Sequence, residues 1–192
     1  MFDQREFRGF EVINVLCSNC GLVLQSPRMT ASELDNYYQE EYRITYDGQE
    51  GPSEKNLRVQ KARAENLVKL LTDLGVENVE RYMDIGSSAG SLMETIQETF
   101  GCEAVGIEPG DAYRAYARSR GLEVYSEFNQ LETEHETRFD LVSMIHVLEH
   151  IPDARLILTE IRRILRKGGI LYIRVPNAHY LLFKHFIWGK IF

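Results

Sequence analysis

Cysteine is scarce in this chain of 192 residues, with Cys17, Cys20 and Cys102 the only three. An odd and sparse set excludes the dense disulfide framework of small secreted domains. Long hydrophobic runs are absent too. No stretch approaches the roughly 18 apolar residues that span a bilayer, and no basic and apolar leader opens the chain, so a cytoplasmic location is expected. Basic charge is also short, with 22 Lys and Arg against 29 Asp and Glu and a net charge of -7. Such a balance gives no general attraction to phosphate backbones, and the basic residues are scattered rather than clustered. Nucleic acid is therefore not an expected partner.

What is present suits a soluble core. The apolar fraction of 44% lies near the globular norm, and the length fits one main domain. Residues 7–26 alternate short apolar runs around Cys17-Ser18-Asn19-Cys20-Gly21 and read as a small hairpin. Thr30 or Ser32 is placed to cap a short helix, and Gly48, Gly51, Pro52 and Ser53 mark a linker or lid. These features divide the chain into an amino-terminal hairpin and flap region, 1–53, and a larger domain, 54–192.

Beyond the linker the pattern changes to alternating helices and strands. Leu57, Ala64, Leu67, Leu70, Leu71 and Leu74 form one helical stripe between Glu54 and Leu74. Strands follow near 82–85, 104–107 and 122–125, with helices near 91–99 and 112–119 between them. Residues 139–145 are apolar enough for a strand covered on both faces. Pro152 and Asp153 open another helix, with Leu156, Ile157, Ile161, Ile164 and Leu165 as its buried stripe. Gly168-Gly169 is expected to stop it, before a fifth strand over 170–175. The rhythm predicts an α/β, doubly wound, mostly parallel sheet.

Asp84-Ile85-Gly86-Ser87-Ser88-Ala89-Gly90 falls where a strand gives way to a helix. Glycine there lets backbone approach a ligand that a side chain would block. Glu108 follows Gly86 by 22 residues, at the end of the second strand, where a carboxylate accepts hydrogen bonds from ribose hydroxyls. Taken singly, the glycines fit an ordinary tight turn and Glu108 a solvated strand end. Their spacing describes a nucleoside site, which also suits an NAD-dependent oxidoreductase.

The motif series resembles that of class I S-adenosylmethionine-dependent methyltransferases, in the sugar, small-molecule and quinone-type group. The glycine turn matches the first motif and Val105-Gly106-Ile107-Glu108-Pro109 the acidic second one. His146-Val147-Leu148-Glu149-His150-Ile151-Pro152-Asp153, Leu165-Arg166-Lys167-Gly168-Gly169 and Val175-Pro176-Asn177 follow in order. Ser88 departs from the family, whose middle glycine usually stands there.

The resemblance implies S-adenosyl-L-methionine as cofactor and a Rossmann-like methyltransferase fold lacking its last two strands. It assigns Asp84 to the cofactor amino group, the backbone from Gly86 through Ser87 and Ser88 to Gly90 to the methionine portion, and Glu108 to the ribose. Pro109, Glu127 and Phe128 fall on the adenosine side, with Phe128 the better stacking candidate. Met144, Ile145 and His146 line the cleft; core packing accounts equally for Met144, Ile145 and Phe128. His146 or His150 is the candidate proton acceptor, with Glu149 orienting either imidazole. The expected function is methyl transfer to a small-molecule or sugar-type acceptor. A non-catalytic cofactor-binding module is the alternative from another class.

Three further expectations concern the ends. The segment around Cys17 and Cys20 is similar to the end of a zinc-binding region that precedes some sugar C-methyltransferase domains, without its first cysteine pair. Two ligands do not close a tetrahedral site, so no tightly held zinc is expected in a monomer, although two chains could pool their pairs. Tyr37, Tyr38, Tyr42 and Tyr46 lie where the family places a flap. The apolar run 178–192 is expected to associate, giving a homodimer through the carboxyl-terminal region.

Overall fold

Ser53 starts the first long helix. Its Oγ accepts the Asn56 backbone N–H at 3.2 Å, and Glu54 puts negative charge in the first turn, both favourable at a helix N-terminus. This helix, α1 (Glu54–Asp73), buries Ala64, Leu67 and Leu71. Two members of the expected stripe lie outside it, Leu70 at 41% and Leu74 at 71% exposure. Leu70 is turned about 100° from Leu71, and Leu74 is the C-cap residue beyond the last turn.

The computed structural model describes residues 3–7, 10–30, 33–34, 37, 51–131 and 139–178. The chain divides into two units, Met1–Leu34 with Pro176–Phe192, and Asp35–Val175. Tyr38, Tyr42, Tyr46 and the run 179–192 lie outside the described residues.

In the first unit β1 (Asp3–Phe7), β2 (Phe10–Leu16) and β3 (Val23–Gln25) form an antiparallel sheet in that order. The expected hairpin is the pair β2 and β3. Its turn is closed by the Cys17 N–H on the Leu22 carbonyl and the Gly21 N–H on the Cys17 carbonyl, both 2.9 Å. Thr30 makes the anticipated capping box: its N–H donates to Glu33 Oε2 at 2.8 Å, and the Glu33 N–H donates to Thr30 Oγ1 at 3.3 Å.

The second unit carries a sheet of five parallel strands. They are β4 (Arg81–Ile85), β5 (Glu103–Ile107), β6 (Glu123–Tyr125), β7 (Phe139–Ile145) and β8 (Leu165–Arg174), in the order β6-β5-β4-β7-β8. Helices α2 (Ser91–Phe100), α3 (Asp111–Ser119) and α4 (Ala154–Ile164) lie between them in sequence. This is the Rossmann-like, doubly wound architecture that the alternating pattern predicts. Alternation along β4 divides the core. Tyr82 joins Ala64, Leu67, Met93 and Ile96 in one cluster, whereas Met83 and Ile85 join Val142, Met144 and Ile161 in the other. Burying each such large side chain contributes about 1.5–3 kcal/mol, so the centre of the sheet is the rigid platform for whatever its strand ends carry.

The approach to β8 differs from the expectation. The helix ends at Ile164, not at Gly168, and the strand begins at Leu165, which pairs with Phe139 before an irregularity in register. Gly168, at φ +80°, belongs to this irregular strand rather than to a helix stop. An ion pair at 2.6 Å between Arg166 Nε and the buried Asp140 ties it down. Leu156, expected in the α4 stripe, is 60% exposed, while Ile161 is fully buried.

Candidate cofactor and acceptor site

The order of strands fixes where a ligand belongs. From β4 the chain runs to β5 and β6 on one side, then returns to β7 on the other, so a crevice opens at the carboxyl ends of β4 and β7. Gly86-Ser87-Ser88-Ala89-Gly90 leaves β4 there. The Gly86 and Ser87 N–H groups both donate to the Ile107 carbonyl, at 2.8 and 2.9 Å, which staples the loop to the end of β5. Gly86 has φ +79°, and a Cβ on it would lie 2.2 Å from Val147 Cγ2. Both the backbone and the space penalise any other residue.

Ser88 takes up φ +52°, a left-handed conformation that costs a non-glycine residue roughly 1–2 kcal/mol. Hydrogen bonds hold it. Its N–H donates to Glu108 Oε2 at 2.8 Å, and its Oγ accepts Gln60 Nε2 of α1 at 3.1 Å. The Gly110 N–H donates to the other Glu108 oxygen at 2.9 Å. Arg114 braces this corner, donating to the Glu108 and Pro109 carbonyls at 2.8 Å and pairing with Asp111. Glu108, 4% exposed, is thus held at the end of β5 by both of its oxygens.

Asp84 lies under the loop at 3% exposure. It faces Ser143 across the β4–β7 ladder, and Ser143 Oγ donates to Asp84 Oδ1 at 2.5 Å. Tyr82, two residues back on the same face, lies 2.6 Å from Ser143 Oγ. Burial pushes the Asp84 carboxyl up to about 7, further raised by the nearby Glu108 charge and opposed by the Ser143 and Tyr82 hydroxyls. Burial, followed by the Asp84 charge, drives the Tyr82 phenol well above its ordinary value. Ser87 is also buried, with its Oγ over Gly106 and near Met93 and no hydrogen-bond partner.

Across the crevice β7 ends at Ile145, and His146 takes φ +57° while its N–H donates to the Arg174 carbonyl at 2.8 Å. Such a bend in a non-glycine residue is uncommon and points to a demand on that position. Glu149 Oε1 lies 3.4 Å from His146 Nδ1 and 3.9 Å from His150 Nε2, so one carboxylate faces two imidazoles. Burial lowers the His150 pKa, the Glu149 charge acts to raise it, and His146 lowers it further.

Residues 57–189 match the model of a methyltransferase domain. The chain belongs to the methyltransferase domain family. It is similar to the ubiquinone biosynthesis O-methyltransferases of Pseudomonas aeruginosa, 30% identical over 107 residues (52% of this chain and 46% of the relative), and Actinobacillus pleuropneumoniae, 28% over 109 residues (51% and 46%). The chain therefore spans about half the length of the curated relatives it matches. Among solved structures, magnesium protoporphyrin IX methyltransferase from Synechocystis with bound SAM shares the fold at TM-score 0.51 and 16% identity, covering 70% of this chain and 71% of that one. A SAM-dependent methyltransferase from Archaeoglobus fulgidus does so at TM-score 0.54 and 20% identity, covering 76% and 62%.

Within this methyltransferase fold the sequence candidates fall into three groups. Gly86, Ser87, Ser88, Gly90 and Glu108 come together at the β4–β5 ends. Pro109 and Glu127 are exposed, and Phe128, with Tyr125 and Leu131, is half-buried against the core cluster that contains Met83, Ile85 and Val105. Met144 is fully buried, a core residue, while Ile145 is half-buried. His146, Glu149 and His150 form a cluster of their own. Tyr82, Ser143, Gln60 and Val147 were not anticipated. The signal available for the first two was a Tyr-x-Asp spacing that puts both side chains on one strand face, and a hydroxyl inside an otherwise apolar strand.

Cys17 and Cys20 stay free in the β2–β3 turn. The Cys20 and Asn19 N–H groups lower the Cys17 thiol pKa. Among the described residues no cluster of three or more His, Cys, Asp or Glu is arranged to hold a metal, and no helix is long and apolar enough to cross a membrane.

Proposed function

We propose that this protein binds S-adenosyl-L-methionine at the β4–β5–β7 crevice and transfers its methyl group to a small-molecule acceptor. The observation that carries the reading is Glu108. Its carboxylate accepts backbone N–H groups from both Ser88 and Gly110, one on each oxygen. The two N–H groups fix the carboxylate at the end of β5, the strand end from which an acid meets ribose hydroxyls in nucleoside-binding folds of this kind. The residues fit the cofactor in two other respects. The loop beside Glu108 holds a buried orphan hydroxyl, Ser87 Oγ, and a buried acid, Asp84, lies beneath it.

The bound cofactor supplies an electrophilic methyl group on a positively charged sulfur. Glu108 orients the ribose, and Asp84 favours the cationic methionine end. Gly86 to Gly90 pass beneath it, and Pro109, Glu127 and Phe128 border the adenosine. Met144 supports the floor as core; Ile145 and His146 border the reacting side. His150, held toward its neutral form by burial, accepts a proton from an acceptor hydroxyl, and Glu149 favours the resulting imidazolium. His146 is the second candidate base, at closer range to Glu149. Placement of donor and acceptor in line supplies much of the rate advantage.

Residues 1–53 serve in this reading as hairpin and flap, and 54–192 as the cofactor-binding domain. The relatives named as ubiquinone biosynthesis O-methyltransferases favour an oxygen acceptor, whereas the resemblance around Cys17 and Cys20 favours a sugar. The test is a mass-based screen for gain of one methyl group across quinols, sugars, polyketides and lipids. Methylation of one acceptor class supports enzymatic function. Tight cofactor binding with no methylated product from any of them favours a binding module instead.

A further inference from the structure

Three buried side chains in the middle of the sheet make a chain whose direction follows from proton counting. With Asp84 ionised, Ser143 has one hydroxyl proton and gives it to Asp84 Oδ1 at 2.5 Å. The 2.6 Å contact between Tyr82 and Ser143 must then be a donation from Tyr82. Both hydroxyl protons thus point towards the carboxylate, and the chain satisfies every donor only when Asp84 accepts. Exposures of 0%, 0% and 3% for Tyr82, Ser143 and Asp84 leave no solvent to substitute. An aromatic hydroxyl and a serine within a sheet core are costly unless paired, so this network needs a reason to exist there.

The surroundings oppose the charge that the network favours. Glu108 at the end of β5 brings a second carboxylate, and Cys102, before β5, acts on Tyr82. Gly106, the residue paired with Asp84 on β5, brings no side chain, and Ser87 Oγ fills the space over it. The helices on this face contribute Ala64, Leu67, Leu92, Met93 and Ile96 to the cluster that holds Tyr82. Asp84 is thus poised between a donor chain built for the anion and an apolar, acidic environment that disfavours it. Its location beneath the glycine loop makes an arriving cation the means of tipping the balance.

We propose that Tyr82 and Ser143 are positioning residues, whose aligned hydroxyl protons hold Asp84 ready to ionise when the positively charged cofactor binds, so that binding expels a proton. This rests on the S-adenosylmethionine reading above. The proton leaves Asp84 for solvent, and no covalent bond in the cofactor changes.

The experiment is calorimetric titration of the intact chain with S-adenosylmethionine, in buffers of different ionisation enthalpy, between about pH 5 and 9. Release approaching one proton is expected on the acid side of neutrality, fading above it, with affinity rising up to about tenfold per pH unit over the same range. Tyr82→Phe removes the far donor and Ser143→Ala the near one. Each is expected to move the midpoint upward, by about one pH unit for Tyr82→Phe, or about fivefold weaker binding at neutral pH. Ligand-free protein gives a second readout: stability falling with pH should extend to higher pH in both variants. Binding without proton release, or variants whose midpoint and ligand-free profile do not move, overturns the proposal and leaves the cofactor reading intact. Absence of binding at every pH overturns both.

Discussion

Replacing Asp84 by Asn should make the ligand-free protein more stable at alkaline pH, and the size follows from the site. The carboxyl is raised from 3.8 to about 7, chiefly by burial. Between those values the folded protein holds a proton that the unfolded chain has lost. Stability is therefore highest below 3.8 and is lost as pH rises through about 7. At about 1.4 kcal/mol per pH unit, the difference amounts to about 4 kcal/mol above neutrality. Asn keeps the shape and can still accept the Ser143 hydroxyl, but it does not ionise. The Asp84→Asn protein and the parent should thus match in stability below pH 4, diverge up to pH 7 and differ by up to about 4 kcal/mol beyond it. Urea denaturation followed by circular dichroism at closely spaced pH values gives both curves, and their difference cancels other titrating groups. A difference that is flat with pH, or one favouring the parent at pH 8, would refute the view that burial outweighs the Ser143 and Tyr82 hydroxyls at Asp84.

Other perturbations read other parts of the site. Gly86→Ala should destabilise the fold by about 1–3 kcal/mol, from positive φ and collision with Val147. Val147→Ala should recover only part of this in thermal denaturation, since the backbone strain remains. Ser88→Val should cost at least about 1 kcal/mol at φ +52°, whereas Ser88→Gly should be tolerated, a contrast read by denaturant midpoints. Glu108→Gln leaves one of the Ser88 and Gly110 N–H groups facing an amide NH2, and should lose about 1–2 kcal/mol of stability together with cofactor affinity. Glu149→Gln removes the anion that raises the His150 pKa, so the acid limb of the methyl-transfer pH profile should move to lower pH. An unmoved limb would exclude His150 as the base.

The architecture was legible because alternation of apolar helices and strands fills 54–175, and each strand of the sheet falls within a few residues of its expected place. The end of α4 was misread because Gly168-Gly169 resembles a helix stop. Pairing of Leu165 with Phe139 and the Arg166–Asp140 ion pair outweighed that local signal. Leu70 and Leu156 show a second limit: spacing marks apolar positions, but which of them touches the sheet depends on how the helix is rolled. In the site, Gly86 and Glu108 were readable from spacing. The Tyr82–Ser143–Asp84 chain was not, because it depends on the β4–β7 register, which joins residues about sixty positions apart. The Gln60–Ser88 contact escaped because it depends on how α1 packs beside the glycine loop, which the sequence pattern does not specify.

Equilibrium dialysis of the intact chain against S-adenosylmethionine and against NAD, with Glu108→Ala alongside, bears most directly on the cofactor site. The account predicts saturable binding of S-adenosylmethionine, no saturable binding of NAD, and a marked loss of affinity in Glu108→Ala that does not accompany unfolding. Saturable NAD binding with no retention of S-adenosylmethionine, or undiminished binding by Glu108→Ala, would contradict it.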